Sequence, residues 1–148
     1  MAARVACVLL AALAGDAGAA DLAPYRIVGD AVPEPLDGST GDAVRGRQVV
    51  LDRNLGNCLI CHAVPEPGER FMGDIGPDLA GVGARLDAGQ LRLRLIDSSR
   101  VDPATVMPPY YRMDGLLRVG APWRGKPVLT SRQVEDVVAY LVTLEPAK

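Results

Sequence analysis

One five-residue stretch limits what this chain can be. Cys58-Leu-Ile-Cys61-His62 contains two of the three cysteines and the only histidine among 148 residues. A structural zinc site needs four protein ligands. The only other Cys or His is Cys7, which lies in an N-terminal segment that is predicted to be cleaved off. A thioredoxin-type redox pair needs a strand and a helix around it, and no convincing strand pattern flanks the motif.

The remaining interpretation is covalent attachment of a c-type haem, for which C-x-x-C-H is the signature. The thiols of Cys58 and Cys61 add to the two porphyrin vinyl groups, and the imidazole of His62 reaches the iron from the proximal side. The chain has only one Trp, one Phe and four Tyr, so a large apolar cofactor would fill a thin core. The sequence therefore predicts one covalently bound haem c.

The N-terminus predicts export, which agrees with haem c because this cofactor is attached outside the cytoplasm. Residues 1–20 combine Arg4, an apolar run of about ten residues and a small-residue cleavage site, as secretory signal peptides do. The run is well short of the roughly 20 residues that cross a bilayer. We expect cleavage near Ala19 to Asp21 and a periplasmic mature protein without a membrane span.

The mature chain predicts one helical domain, residues 41–148, preceded by an irregular N-terminal arm, residues 21–40. The arm has three prolines and two glycines without periodicity. Asp42 to Asn54 has helical character, and Gly56 stands where a glycine commonly ends a helix. The sequence therefore predicts a helix that leads directly into the C-x-x-C-H motif.

Two capping-box patterns predict further helices. One, Asp87 to Gln90, precedes residues 91–96, whose alternating apolar residues would also suit a strand. The other, Thr130 to Gln133, precedes apolar residues at helical spacing from position 134 to position 144. Glycine- and proline-rich loops are predicted for residues 65–83 and 102–126.

Met107 is the predicted distal ligand of the iron. No second histidine remains for that position, and methionine closes it in electron-transfer cytochromes. Met72 follows the histidine by only ten residues, in a short loop that reaches the distal face with difficulty. Met107 lies 45 residues after the histidine, next to a proline in irregular chain, which suits a loop across the far face. Met113 shares much of this geometry and stays the alternative.

Pro77 is the predicted partner of the second imidazole nitrogen of His62. A metal-bound imidazole usually donates its other N–H to a carbonyl or carboxylate. The Ile-Gly-Pro-Asp-Leu segment follows the histidine by about 15 residues. In soluble cytochromes c, a proline carbonyl at about this distance takes that role.

Charge is uneven although the net charge is only −2. Residues 85–126 contain seven Arg and one Lys against four Asp, which predicts a basic surface or an ordinary solvated face. Arginine suits bidentate contacts to carboxylates and sulfur oxyanions. The acidic balance and the absence of a recognition motif argue against a nucleic-acid partner.

Longer segments resemble one family. The stretches GDIGPDLAGVGARL, ATVMPPYYRMDGL and GKPVLTSRQVEDVVAYL, together with GNCLICH, resemble the monohaem X subunits of bacterial sulfur-oxidising (Sox) systems over roughly residues 41–145. The resemblance implies a mainly α class I cytochrome c fold with His62 and Met107 as iron ligands. It also implies a periplasmic heterodimer with a second c-type cytochrome, the A-type Sox subunit. That pair acts as an L-cysteine S-thiosulfotransferase, which oxidatively couples thiosulfate to a cysteine of a sulfur-carrier protein.

The cysteine count limits the part this chain can take in such a reaction. Forming the S–S bond needs a sulfur nucleophile, and both cysteines of the mature chain are predicted to be thioethers. The chain is therefore expected to have no catalytic residue and to pass electrons to a small soluble acceptor. Two alternatives stay open: a free-standing periplasmic electron shuttle, and a haem enzyme or sensor with an open distal site.

Overall fold

The computed structural model describes residues 22–146, so the predicted signal peptide, residues 1–20, lies outside the described part. Within that part the only β pairing is an isolated bridge, and no helix is both long and apolar enough to span a bilayer. Four α-helices, α1 to α4, are joined by loops that contain short 3₁₀ turns. The helices are α1 (Ala43–Leu51), α2 (Val82–Arg85), α3 (Ala88–Asp97) and α4 (Ser131–Leu141); the 3₁₀ turns are Cys58–Ile60, Ser98–Arg100 and Ala121–Trp123.

Helix α1 begins where the sequence predicts and ends earlier. Asp42 caps it, because its carboxylate accepts a hydrogen bond from the Arg45 amide at 2.9 Å. The carboxylate of Asp52 accepts from the Asn54 amide at 2.8 Å, and this local turn competes with further helix. The predicted glycine terminus at Gly56 is therefore wrong: the left-handed residue is Asn57, with φ of 50°.

Both predicted capping boxes are present. Asp87 and Gln90 exchange hydrogen bonds of 2.9 and 3.1 Å at the start of α3. Thr130 and Gln133 do the same at the start of α4. Residues 91–96 are therefore helix and not strand, since the paired caps satisfy amides that the first helical turn leaves without partners.

Helices α1 and α4 form the most extensive helix pair. Gly46 allows the close approach, because a Cβ at this position would clash with the Asp136 carbonyl and lie 3.0 Å from the Tyr140 Cβ. At the N-terminal end of α1, Arg45 also makes two 2.8 Å hydrogen bonds with the Asp136 carboxylate. Helix α3 packs on the same α4 helix and completes the core.

The N-terminal segment packs on α3 and α4 rather than standing away from them. Val32 and Leu36 are almost fully buried, and the Val32 amide donates to the Gly89 carbonyl at 3.0 Å. Arg92 of α3 and Glu135 of α4 form a buried ion pair with two 2.8 Å contacts. This pair also binds the backbone of the segment, because Arg92 donates to the Val32 carbonyl and Glu135 accepts from the Leu36 amide.

Candidate cofactor site

A cavity of about 750 Å³ lies between the C-x-x-C-H segment, α3, α4 and the loop before Tyr110. The structure brings all five sequence-predicted site residues to its wall: Cys58, Cys61, His62, Pro77 and Met107. Its volume falls within the range of about 300–1,000 Å³ typical of small-molecule and cofactor sites.

The local backbone explains how the motif side chains reach one cavity. After the left-handed Asn57, the chain turns into a 3₁₀ helix, and the amides of Cys61 and His62 both donate to the Cys58 carbonyl at 3.1 and 3.0 Å. Leu59 is completely buried behind this turn and fixes it to the core. Two thiols and one imidazole therefore line the cavity from a single turn of chain.

The imidazole of His62 is held by the segment that follows it. Its Nδ1 lies 2.7 Å from the Pro77 carbonyl oxygen. Since a carbonyl can only accept, this contact places a proton on Nδ1, and in a neutral imidazole the lone pair is then on Nε2. The Gly76 amide donates to the Cys61 carbonyl at 2.7 Å, and a Cβ on Gly76 would lie 2.7 Å from Nδ1. Only glycine leaves room for the ring there.

The cysteines do not have the character of a reactive redox pair. Cys58 and Cys61 are not joined in a disulfide, and burial raises the pKa of the Cys58 thiol to about 11. Redox-active cysteines instead have a lowered pKa, because the thiolate is the nucleophile. Among residues 22–146 no three His, Cys, Asp or Glu side chains group together as a metal site. The raised pKa of Cys58 argues against a redox pair.

The three methionines of the described part have different surroundings, and Met107 alone lines the cavity. Met72 packs against the core, and its sulfur accepts a hydrogen bond from the Val64 amide at 3.3 Å. The amide of Met107 donates to the Thr105 hydroxyl oxygen at 3.2 Å. A thioether is therefore available in the cavity wall from a loop separate in sequence from the C-x-x-C-H segment.

The other residues that line the cavity belong to no recognisable motif, so the sequence did not indicate that they are part of the site. Leu91 and Leu95 of α3 and Val137 and Leu141 of α4 supply apolar wall. Tyr110, also in the wall, donates a hydrogen bond from its hydroxyl to the Gly56 carbonyl at 3.0 Å. Its place three residues after the candidate methionine is the one sequence signal that could have indicated it.

The arginine-rich segment 85–126 is only partly a surface, because arginines of this segment bind buried carboxylates. Arg92 is buried in the ion pair with Glu135, and Arg112 binds the buried Asp97 at 2.8 Å. Arg85 and Arg94 line the cavity. The arginines lie in the core, at the cavity and on the exterior, because α3 and the loops after it contribute residues to all three regions.

The residues present fit a haem of the c type. Two thiols three positions apart can form the thioethers, the imidazole offers Nε2, and a thioether sulfur is available from the separate loop. The Cytochrome c family model matches residues 43–145. The chain belongs to the cytochrome c family. In this family the haem supplies a one-electron redox centre, so the protein is an electron-transfer cytochrome with covalently bound haem c.

A solved structure supports the narrower resemblance. The crystal structure of SoxXA from P. pantotrophus contains a chain with 36% sequence identity and a TM-score of 0.76, and the alignment covers 82% of this chain and 94% of that chain. No curated protein matches at a significant level. The predicted mainly α class I cytochrome c fold and the resemblance to Sox cytochromes are confirmed.

Proposed function

We propose that this protein is the monohaem electron-transfer subunit of a periplasmic, heterodimeric L-cysteine S-thiosulfotransferase. The observation that carries the proposal is the 36% identity over 94% of a SoxXA chain. The partner is a second c-type cytochrome of the A type. The pair couples thiosulfate to a cysteine of a sulfur-carrier protein, and the electrons leave to a small soluble acceptor. Export follows from the signal-peptide pattern of residues 1–20.

Each of the five predicted site residues has a role in this proposal. Cys58 and Cys61 hold the haem as thioethers, and His62 is the proximal iron ligand. The Pro77 carbonyl orients the imidazole by accepting from Nδ1, a role supported by their 2.7 Å separation. Met107 is the distal ligand. Its thioether is a weak donor, which raises the reduction potential relative to a second imidazole and suits a protein that accepts electrons.

The division of labour follows from the chemistry of the bond that forms. Joining thiosulfate to a cysteine thiol makes one S–S bond and releases two electrons and the thiol proton. A sulfur nucleophile must take part, and the only cysteines of this chain after residue 20 are Cys58 and Cys61. Both line the haem cavity. This chain therefore has no thiol of its own for the reaction, and we assign the active-site sulfur to the partner, while this chain accepts the electrons one at a time.

The partner is tested by purifying the tagged, haem-loaded protein from the periplasm of thiosulfate-grown native cells. We expect an equimolar second c-type cytochrome with a cysteine outside its haem motifs, and reduction of the complex by thiosulfate and carrier protein together. Recovery of this chain alone, with no thiosulfate-dependent reduction, would instead support a free-standing periplasmic shuttle.

The distal ligand is tested separately with Met107→Ala. We expect loss of the sulfur-to-iron charge-transfer band of the ferric protein and much faster cyanide and carbon monoxide binding, because the sixth position is open. Met113→Ala is the matched control, six positions further along the same loop region, and should keep both properties. Rapid carbon monoxide binding by the unaltered protein would favour an open-site haem enzyme or sensor.

A further inference from the structure

The chain that follows Met107 is first bonded to the core at Tyr110 and Tyr111. The amides of Tyr110 and Tyr111 donate to the Leu95 and Ile96 carbonyls at the end of α3, at 3.0 and 3.3 Å. The Tyr110 carbonyl accepts from the Leu129 amide at 3.0 Å. Between the 3₁₀ turn Ser98–Arg100 and α4, the chain is irregular except for one further 3₁₀ turn, and the two tyrosines lie in this irregular part. On its downstream side, the loop that contains Met107 is therefore anchored three residues away.

The side chain of Tyr110 joins this anchor to the opposite wall of the cavity. Its ring is 8% exposed and lines the cavity. Its hydroxyl donates to the carbonyl of Gly56, which is 54 residues earlier and two residues before Cys58. The bond is buried, so little water competes with it. Tyr110 thus connects three parts of the protein: the loop that contains Met107 (the methionine loop), helix α3, and the start of the C-x-x-C-H turn (the attachment turn).

We propose that Tyr110 is a positioning residue that keeps Met107 on the iron, by holding the methionine loop to the attachment turn through its hydroxyl. The inference rests on the proposed distal ligation by Met107. Movement of the loop away from the cavity detaches the sulfur. The hydroxyl bond opposes that movement without contacting the sulfur, so its loss raises the fraction of time that the sixth position is open.

The adjacent residue supplies a matched control. Tyr111 is 3% exposed, and its hydroxyl accepts from the Ala23 amide at 2.8 Å, on the N-terminal segment and away from the cavity. Tyr110→Phe and Tyr111→Phe each remove one hydroxyl with a hydrogen bond from the same two-residue stretch. Only Tyr110→Phe removes a bond between the two cavity walls. A general loss of stability affects both variants, whereas loosening of the methionine affects one.

The experiment measures cyanide binding to the ferric, haem-loaded protein, together with the sulfur-to-iron band and the reduction potential. Because opening precedes cyanide binding, we expect Tyr110→Phe to bind cyanide about 2- to 10-fold faster, the range that corresponds to one net hydrogen bond. Its band should weaken and its potential should fall, while Tyr111→Phe matches the unaltered protein. Equal rates in all three proteins, or equal acceleration in both variants, would overturn the inference.

Two further results separate the inference from its premise. If Met107→Ala keeps the sulfur-to-iron band, the proposed ligand is wrong, whatever Tyr110→Phe does. If Tyr110→Phe yields no haem-loaded protein, heating of the unaltered protein decides: the anchor predicts that the band and the helical circular dichroism are lost together. Loss of the band well below the unfolding transition would contradict an anchored loop.

Discussion

The two walls of the haem cavity are built in different ways. The proximal wall, residues 56–62 and 73–79, is held by hydrogen bonds between residues close in sequence, such as Gly73 to Leu59, Gly76 to Cys61 and His62 to Pro77. The distal wall, residues 104–110, also has local bonds, such as Met107 to Thr105, but it is joined to the core through bonds from Tyr110 to α3, Leu129 and Gly56. The proximal wall therefore carries its geometry in a motif, whereas the distal wall depends on the completed fold.

The largest effect is expected from removing the covalent bonds of the proximal wall. The double variant Cys58→Ala/Cys61→Ala should lose all covalently bound haem, because no other cysteine follows residue 20. Haem staining after denaturing electrophoresis and the mass of the intact protein measure this loss. Ser98→Ala, another change in the cavity wall, should keep full haem content. Covalent haem in the double variant would disprove the attachment.

The next largest effect is expected when an added methyl group crowds the His62 ring in the proximal wall. Gly76→Ala places a Cβ within 3.0 Å of the His62 ring, while the Gly76 amide is tied to the Cys61 carbonyl. We expect a loss of about 3 kcal/mol in unfolding free energy, at the upper end of overpacking costs, and an altered haem absorption spectrum. Gly68→Ala is the control, since a Cβ there meets nothing within 4 Å. Equal stability of the two variants would contradict the close fit.

The difference between the walls explains what the sequence could predict. The C-x-x-C-H motif and both capping boxes are local patterns, so they predicted the haem turn and the starts of α3 and α4. The early end of α1 was missed, because the Asp52 turn that ends it competes with a helix that sequence periodicity alone favours. Periodicity describes which residues face the core and says little about side chains that bind the backbone.

Long-range polar contacts were also outside the reach of the sequence. Arg92 and Glu135 are 43 residues apart, and both belong to residue types that are almost never fully buried unless paired. Their pairing makes the arginine-rich segment partly internal, so its charge alone could not decide between a basic surface and an ordinary solvated face. Tyr110 was missed for the same reason, since its partner Gly56 is 54 residues away.

A smaller effect is expected from weakening the support of the distal wall. Arg112 donates to Asp97 at 2.8 Å, and Asp97 is only 1% exposed. Arg112→Ala should cost about 1–2 kcal/mol in unfolding free energy, less than the loss of a sole partner, because Ser99 still binds the carboxylate. Lys126→Ala, at an exposed position of the same segment, should be nearly neutral. Chemical unfolding of the haem-loaded proteins measures both.

The smallest effect compares one carboxylate near each wall as the pH falls. Near the distal wall, burial raises the pKa of Asp97, but hydrogen bonds from Ser99 and the charge of Arg112 outweigh it and leave the pKa lowered. In the segment that follows the C-x-x-C-H turn, four residues after His62, hydrogen bonds from Arg47 and Tyr140 lower the pKa of Glu66. Because its pKa is lower in the folded protein, each group stabilises the fold at pH values above its unfolded pKa of about 4. This stabilisation is lost as the pH falls through the folded-state pKa.

Unfolding free energies at pH 7 and pH 3 therefore measure how much each wall depends on its carboxylate. Asp97→Asn and Glu66→Gln should each reduce the difference between the two pH values, because the substituted group no longer titrates. We expect the larger reduction for Asp97→Asn, since Asp97 is buried and Glu66 is 15% exposed through its side chain. Titration of the haem and its ligands is common to all three proteins and cancels in the comparison. A larger reduction for Glu66→Gln would mean that the proximal wall, despite its local bonds, is the more acid-sensitive side.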